Sequence, residues 1–338
     1  MRSGVGTDPL QAYLRGMRDA IDAVLRFQGG SPETQMPLPL PDSGGMMGIQ
    51  QDNSHSWCLS LIGIPPGYKR ATGKNVKVAV LDTGVDLLHP DFAGRFTEDV
   101  NARSFVEGES VQDGNGHGTH CAGVVGGPAR SSSGRRYGVA PDTDLMVGKV
   151  LSNAGSGFDD QIIDGIDWAA DQGAEIISMS LGSLRSVGVA HSTAYERIAA
   201  VLLQSEPSVL IIAAAGNESA RPFSLAAVGN PAACPSIMAV AAVDQLRRVA
   251  RFSCAELDTI GPLDVSGPGV AVFSAYKDGG FTSISGTSMA TPHVAGVAAL
   301  YRELDPSLTA ARLRQQIMTR LTPLGIRRDF GQGLVQAP

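Results

Sequence analysis

One serine in this sequence, which is surrounded by small residues, is a candidate nucleophile. Ser288 stands in GTSMATPHVAGVAAL (residues 286–300), with Gly286 two positions before it and Ala290 two positions after it. A serine at the start of an alanine-rich helix is either a cap that accepts a hydrogen bond from the first turn, or a nucleophile whose oxyanion the free N–H groups of that turn would hold. This stretch taken alone favours the cap.

The base that a serine nucleophile needs is available in DGNGHGTHCAG (residues 113–123). His117 has Gly116 and Gly118 as neighbours at a predicted helix start, and His120 follows one turn later. Two histidines at this spacing, without a glutamate between them or a third ligand nearby, are weak evidence for zinc. The glycines do not complete the dinucleotide-binding pattern G-x-G-x-x-G, and no phosphate-binding G-x-x-x-x-G-K-[ST] sequence occurs. The pattern instead indicates an imidazole that a substrate approaches closely, with His120 packed behind it.

A carboxylate and an amide are also available to act with this serine and histidine. Asp82 ends the apolar run VKVAVLD, and Asn217 follows the run LIIAAAG. A carboxylate orients a histidine and stabilises the imidazolium, the histidine takes the serine proton, and an amide joins the serine N–H in an oxyanion hole. Asp86 is the rival carboxylate, but we expect it in a surface loop. We therefore predict Asp82, His117 and Ser288 as a catalytic triad, with Asn217 as an oxyanion-hole donor.

The apolar pattern predicts the elements that position these residues. Five apolar runs of strand length look buried on both faces, at residues 76–82, 145–151, 174–182, 208–217 and 236–244. Helix-like segments alternate with them, at residues 117–127, 158–172, 191–204 and 288–304. This alternation predicts an α/β fold with a mostly parallel central sheet and helices on both faces. Ligands bind such sheets at the carboxyl ends of the strands, so the polar residues that follow the runs should meet at one edge.

Four stretches of the chain resemble the motifs of the subtilisin-like serine proteases, the subtilase family. VAVLDTGVDLLHPDF, GHGTHCAGVV, AAAGNE and GTSMATPHVAGVAAL are similar to the family's Asp, His, oxyanion-Asn and Ser motifs, in the family's order. The resemblance implies a three-layer α/β/α sandwich and peptide-bond cleavage through an acyl-enzyme, with no cofactor required for the chemistry. A lipase-like α/β-hydrolase does not fit, because it would place its serine first and inside G-x-S-x-G.

The resemblance also implies where a substrate binds. Two backbone edges would pair with an extended peptide or protein substrate, and a pocket would receive the side chain before the cut. The matching positions are Gly155, Ser156, Gly157, Ser180, Leu181 and Gly182 for the edges, and Ala214, Ala215, Gly216 and Gly229 for the walls and base of the pocket. A glycine at the base suggests a preference for large apolar or aromatic side chains.

Metal binding and thiol chemistry stay open at this stage. Family members commonly bind structural Ca²⁺ in an asparagine-rich loop after the histidine helix, and Asp91 matches one ligand. The corresponding stretch here, GPARSSSGRRYGVAP, contains arginines and no asparagine. Four cysteines, Cys58, Cys121, Cys234 and Cys254, permit anything from no disulfide to two. Cys121 is shared with a thiol-containing, proteinase K-like branch of the family, and helical spacing places it on the same side as His117.

Length and composition exclude several other classes. The chain has 338 residues, 43% of them hydrophobic, and a net charge of −6. That length allows a large core. The acidic balance and the absence of a basic run argue against a nucleic-acid partner. No apolar run reaches the roughly 18–20 residues that span a bilayer.

Two regions are expected, an N-terminal region over residues 1–55 and a peptidase domain over residues 56–338. The first 30 residues have apolar positions at helical spacing interrupted by charges, which predicts an amphipathic helix rather than a signal peptide. Residues 29–55 are rich in Pro and Gly and predict an extended arm. The region would be a docking helix, an inhibitory arm over the cleft, or a remnant of a pro-segment. The compartment is unknown; an intracellular location is favoured unless the chain is a piece of a longer secreted precursor.

Two other functions compete with an active, broadly acting endopeptidase. A catalytically silent binding module on the same fold would lack at least one triad or oxyanion residue, and none is replaced. A processing protease that trims one peptide partner inside the cell is a narrower alternative, which the sequence does not distinguish.

Overall fold

The computed structural model describes the backbone of residues 33–35 and the whole of residues 54–338. The strands are β1 (Glu33–Gln35), β2 (Lys77–Asp82), β3 (Ala102–Ser104), β4 (Asp144–Lys149), β5 (Ser156–Phe158), β6 (Ile176–Met179), β7 (Leu210–Ala214), β8 (Met238–Val243), β9 (Val265–Pro268), β10 (Val272–Tyr276) and β11 (Gly280–Ile284). The helices are α1 (Trp57–Leu61), α2 (His117–Gly126), α3 (Asp159–Asp171), α4 (Thr193–Gln204), α5 (Thr287–Leu304), α6 (Ala310–Met318) and α7 (Arg327–Phe330). The N-terminal helix and the Pro-rich arm that the sequence predicts lie outside the described residues, apart from β1.

A seven-stranded sheet forms the centre of the fold. Its strand order is β3-β4-β2-β6-β7-β8-β9, and the neighbouring strands pair in parallel. All five predicted strands are present in it, with shorter bounds than the apolar runs. The prediction of a mostly parallel sheet is therefore confirmed.

Apolar side chains cover both faces of this sheet, because successive residues of a strand point to opposite sides. In β2, Val78 and Val80 belong to one core, which includes residues of α2 and α5. Ala79 and Leu81 of the same strand belong to a second core, with residues of α3 and α4. Helix layers on both faces give the expected α/β/α sandwich.

Two small antiparallel sheets lie apart from the central one. Strands β10 and β11 form a hairpin, and two residues separate its end at Ile284 from the start of α5 at Thr287. Strand β1 pairs with β5, with Glu33 opposite Phe158 and Gln35 opposite Ser156. Among the described residues, no helix is long and apolar enough to cross a membrane.

Candidate active site

The order of the strands brings the predicted site residues to one edge of the central sheet. Strands β2, β6 and β7 are consecutive neighbours. Asp82 is the last residue of β2, Ser180 follows β6 directly, and Asn217 lies three residues beyond β7. The carboxyl ends of parallel strands thus supply the predicted acid, one predicted substrate edge and the predicted amide, while His117 and Ser288 come from the starts of α2 and α5.

Asp82 and His117 form a short, buried hydrogen bond. His117 Nδ1 lies 2.7 Å from Asp82 Oδ1, and their side chains are 2% and 0% exposed. The approach depends on Gly118, because a Cβ there would lie 2.2 Å from the Gly84 carbonyl oxygen. The start of α2 therefore rests directly on the turn that follows Asp82.

The charge of Asp82 determines the basicity of the imidazole. Burial alone would lower the pKa of His117, since it penalises the imidazolium, but the Asp82 carboxylate raises that pKa well above its ordinary value. His117 Nε2 is buried and has no hydrogen-bond partner among the described residues. With Nδ1 directed at Asp82, Nε2 is the nitrogen that can accept a proton from a nucleophile.

A second carboxylate, Asp113, holds the backbone around this pair, and the sequence interpretation missed it. Its Oδ1 accepts hydrogen bonds from Thr83 Oγ1 at 2.9 Å and from the Gly116 N–H at 2.8 Å. Its Oδ2 accepts from the Thr119 N–H and hydroxyl at 2.9 and 2.6 Å. An aspartate four residues before the histidine in a glycine-rich turn is the only available sequence signal, and it is a weak one.

Asp86 is buried, which corrects the prediction of a surface loop. The side chain is 2% exposed. Its Oδ1 accepts from Gln112 Nε2 at 3.0 Å, and its Oδ2 accepts from the Gly279 N–H at 2.8 Å. Asp86 therefore joins the β10–β11 turn to the body and is occupied away from His117.

Ser288 is the second residue of α5, and a proline later in that helix leaves the Ser288 carbonyl without its usual helical hydrogen bond. Pro292 is the sixth helical residue and lacks the N–H that would bond to the Ser288 carbonyl. Ser180 Oγ donates to the exposed Ser288 carbonyl at 2.7 Å, and Ser288 Oγ donates back to the Ser180 carbonyl at 3.3 Å. Two serines that are 108 residues apart thus fix each other's position.

Asn217 presents its amide N–H₂ group beside the start of α5. Its Oδ1 accepts hydrogen bonds from the Thr287 N–H and hydroxyl at 2.9 and 2.8 Å, which sets the orientation of the amide. Asn217 Nδ2 is buried without a hydrogen-bond partner in the described part of the chain. It lies near Gly286, where an added Cβ would be 3.3 Å from it. Thr287 is a further residue that sequence reasoning missed, although it stands directly before Ser288.

The residues matched to the two substrate edges are buried or half-buried. Ser156 and Gly157 belong to β5, and Gly155 precedes them in a left-handed conformation with φ of 87°. Opposite, Ser180 and Leu181 are buried after β6. The edge of β5 already carries a paired strand, β1, so its backbone is suited to antiparallel pairing.

The pocket residues lie together, but the reason for one glycine differs from the prediction. The Gly229 N–H donates to the Ala215 carbonyl at 3.0 Å, next to Ala214 and Gly216. A Cβ on Gly229 would lie 2.5 Å from the Ser183 carbonyl oxygen. Backbone packing therefore accounts for glycine here, and Gly229 is weaker evidence for a roomy pocket than its position suggested.

The donor chemistry around Asp91 does not fit a metal ion. Asp91 Oδ2 accepts from Ser131 Oγ at 2.6 Å and from the Tyr137 hydroxyl at 2.7 Å, and Oδ1 accepts from the Ser132 N–H at 2.7 Å. These donors use three of the roughly four lone-pair positions of a carboxylate, whereas Ca²⁺ takes six to eight oxygen ligands. The resemblance implied that Asp91 is a calcium ligand. In this chain, Asp91 instead accepts hydrogen bonds from the loop that contains Ser131 and Ser132 and from Tyr137.

The thiols are buried, and Cys58, Cys121, Cys234 and Cys254 are free among the described residues. Cys121 Sγ lies 3.8 Å from His117 Nδ1, as its helical spacing predicts. Asp82, His117 and Cys121 are the one group of three metal-ligating side chains found close together in the described part of the chain. Burial raises the pKa of the Cys121 thiol, which keeps it protonated beside the imidazole.

Comparison with known proteins agrees with the geometry of the site. The sequence profile of the subtilase family matches residues 73–333. Subtilisin DY of Bacillus licheniformis is 42% identical over 270 residues, which is 80% of this chain and 90% of that protein. Subtilisin Savinase of Lederbergia lenta is 40% identical over 283 residues, or 83% of this chain and 96% of that protein.

Solved structures give the same result. Sphericase superposes with a TM-score of 0.71 at 34% identity, over 83% of this chain and 97% of its own. A cold-adapted subtilisin-like serine proteinase superposes with a TM-score of 0.68 at 33% identity, over 84% and 97% of the two chains. The predicted acid, base, hydroxyl and amide lie at this edge of the sheet, and the chain belongs to the subtilase family, as a subtilisin-like serine endopeptidase.

Proposed function

We propose that this protein cleaves peptide bonds through an acyl-enzyme formed on Ser288. Two buried polar atoms carry the proposal, His117 Nε2 and Asn217 Nδ2, which both lack a hydrogen-bond partner among the described residues. Unpaired buried polar groups cost free energy and are rare in folded proteins, and a catalytic role is one explanation for them. A substrate carbonyl and the Ser288 hydroxyl are the groups that would satisfy them.

In the first step, His117 Nε2 removes the Ser288 Oγ proton as the oxygen attacks the substrate carbonyl. This requires Ser288 Oγ to turn from the Ser180 carbonyl, to which its hydrogen bond is long at 3.3 Å. Catalytic hydrogen bonds often tighten only when substrate is bound. Asp82 stabilises the imidazolium that forms, through the 2.7 Å bond to Nδ1.

The charge that develops on the substrate oxygen is held by Asn217 Nδ2 and the Ser288 backbone N–H. His117 then returns the proton to the leaving amine, which leaves the acyl group on Ser288. A water molecule then attacks the acyl group, and His117 removes its proton. The bond between the acyl carbon and Ser288 Oγ breaks, His117 returns the proton to Ser288 Oγ, and the second product is released.

The substrate is proposed to bind as an extended strand between β5 and residues 180–182. The antiparallel pairing of β1 with β5 supports this, because it satisfies the same edge in the same manner. Small walls at Ala214, Ala215 and Gly216 support a preference for large apolar or aromatic side chains before the cut.

A peptide-library assay of Ser288→Ala tests the assignment. We expect hydrolysis to be abolished with little change in Tm, because the substitution removes the nucleophile and almost no volume. Ser178→Ala is the matched control. Ser178, which lies on β6, is buried like Ser288, and its hydroxyl has no hydrogen-bond partner in the described part of the chain. Turnover by Ser288→Ala near that of the control would refute the nucleophile.

We also propose that the segment containing β1 restrains activity. Its pairing with Ser156–Phe158 occupies the edge that an extended substrate would use, so the two would compete. The test compares the full chain with a chain that begins at Gln51. A lower KM with unchanged Tm supports restraint, whereas unchanged kinetics with a large loss of Tm would make the segment a structural brace.

A further inference from the structure

A wholly buried lysine lies beside the catalytic aspartate and has no role in the mechanism above. Lys149 is the last residue of β4 and stands opposite Asp82 in the register of the sheet. Its side chain is 0% exposed. An ammonium group is costly to bury unless acceptors surround it, so its partners indicate what the fold gains from it.

Three acceptors, which match the three N–H donors of an ammonium, surround Lys149 Nζ. The Thr83 carbonyl oxygen lies 2.7 Å away, Asn153 Oδ1 lies 2.9 Å away, and Glu109 Oε2 lies 3.1 Å away. Glu109 Oε2 also accepts from the Asn153 N–H at 2.8 Å. The charge is therefore neutralised by one carboxylate and its donors are fully used.

The first acceptor belongs to the turn that orients Asp82. The Thr83 N–H donates at 2.7 Å to Asp82 Oδ1, the same oxygen that binds His117. Thr83 Oγ1 accepts from the Gly118 N–H at 2.9 Å. By holding the Thr83 carbonyl, Lys149 restrains the residue whose N–H and hydroxyl make these two contacts.

The second acceptor connects the loop before His117 to the substrate edge. Asn153 Oδ1 also accepts from the Gly114 N–H at 2.9 Å, and the Asn153 carbonyl accepts from Asn115 Nδ2 at 3.1 Å. Asn115 Oδ1 in turn accepts from the His117 N–H at 3.3 Å. Asn153 lies three residues before the start of β5 at Ser156.

We propose that Lys149 is a positioning residue that holds the Asp82 turn, the His117 loop and the β5 edge in one fixed arrangement. It acts through backbone and side-chain acceptors and does not touch substrate. The proposal rests on the assigned roles of Asp82 and His117. Displacement of a catalytic group by about 1 Å can cost on the order of a hundredfold in rate.

The test measures kcat and KM of Lys149→Met on two substrates, a single-residue ester and an extended peptide, with active sites counted by titration. We expect kcat to fall about tenfold to a hundredfold on both, because the catalytic pair serves both. KM should rise on the extended peptide alone, since only that substrate uses the β5 edge. Lys77→Met is the control, because Lys77 lies at the opposite end of β2 and donates to the exposed Gln172 carbonyl.

Asn153→Ala is the second variant, in case Lys149→Met does not fold. It removes the bridge between Lys149 Nζ and the Gly114 N–H, and we expect the same reduction in kcat on both substrates. A titrated kcat within twofold of wild type for either folded variant would overturn the proposal. So would a loss confined to the extended peptide. Ser288→Ala is assayed beside them. If it is inactive while the Lys149 and Asn153 variants keep their kcat, the Lys149 proposal alone fails; if it is active, the nucleophile assignment fails.

Discussion

Asp82 and Asp91 come from one stretch, VAVLDTGVDLLHPDF, and are nine residues apart, yet their carboxylates are bound in opposite ways. Asp82 Oδ1 accepts from His117 and from the Thr83 N–H, whereas Oδ2 is buried without a partner in the described chain. Both oxygens of Asp91 are taken by donors of the loop that contains Ser131 and Tyr137.

In the mechanism proposed above, this difference separates a reacting group, Asp82, from a structural one, Asp91. At the sheet edge, Asp82 Oδ2, His117 Nε2 and Asn217 Nδ2 remain unpaired, at a cost of about 1–3 kcal/mol for each buried group. Around Asp91, the loop itself supplies hydrogen-bond donors to both carboxylate oxygens. Loss of an edge residue should reduce rate without reducing stability, and loss of Asp91 should do the reverse.

Asp82→Asn should give the largest effect. The amide can stabilise the wrong tautomer of His117 and cannot stabilise the imidazolium, so kcat should fall roughly 10⁴-fold. The shape of the side chain is preserved, so Tm should change little. Steady-state kinetics and thermal unfolding of the same sample measure both. A large fall in Tm with a modest fall in kcat would place Asp82 with Asp91 as a structural acid.

Asn217→Ala should lower kcat by roughly 10²–10³ with little change in KM, a magnitude taken from removal of the oxyanion asparagine in subtilisin itself. The reason is that Nδ2 is used only when charge develops on the substrate oxygen. The variant also removes the acceptor of the Thr287 N–H and hydroxyl, so Tm should be measured for the same sample. An effect on KM alone would contradict the role assigned to this amide.

The pH dependence of activity should reflect the charge of Asp82. Because Asp82 raises the pKa of His117, and only neutral His117 can act as base, kcat/KM should fall as pH drops through a value above 6.5. The same raised pKa means that the pair stabilises the fold fully below about pH 6.5, and that this contribution is lost as pH rises through the His117 pKa. Activity that is independent of pH between 6 and 9 would be inconsistent with the pair.

Asp91→Ala should leave kcat and KM unchanged and lower stability. Partial burial alone would raise the pKa of Asp91, but hydrogen bonds from Ser131, Ser132 and Tyr137 lower it. Loss of these bonds should cost about 1–3 kcal/mol, or several degrees of Tm. The fall in Tm should be equal in calcium chloride and in EDTA. A calcium-dependent rise in Tm that the variant loses would show a metal at Asp91 after all.

Cys121→Ala should have the smallest effect on basal activity. The thiol lies 3.8 Å from His117 Nδ1, so a mercurial bound to sulfur would displace the imidazole. We expect mercurials to inhibit the wild type and the Cys121→Ala variant to resist them, with similar kcat in their absence. Equal inhibition of both would locate the sensitive thiol at Cys58, Cys234 or Cys254.

The sequence by itself determined the family and the strands of the central sheet. Continuous apolar runs of strand length require burial on both faces, and this fixes a parallel sheet whose carboxyl ends share one edge. Asp82 and Asn217 end two of those runs, and His117 and Ser288 lie in the first turns of helices, so the local pattern marked all four as candidates.

Only the tertiary structure decided which polar groups are satisfied. Ser180 binds the carbonyl that Pro292 exposes, Asp113 holds Thr83, and Lys149 joins Glu109 and Asn153. Each of these contacts links segments that are distant in the sequence, so the local pattern gives at most a weak signal for them. Partner choice depends on which donors arrive within about 3 Å after folding, and the one-dimensional pattern carries no information about that distance.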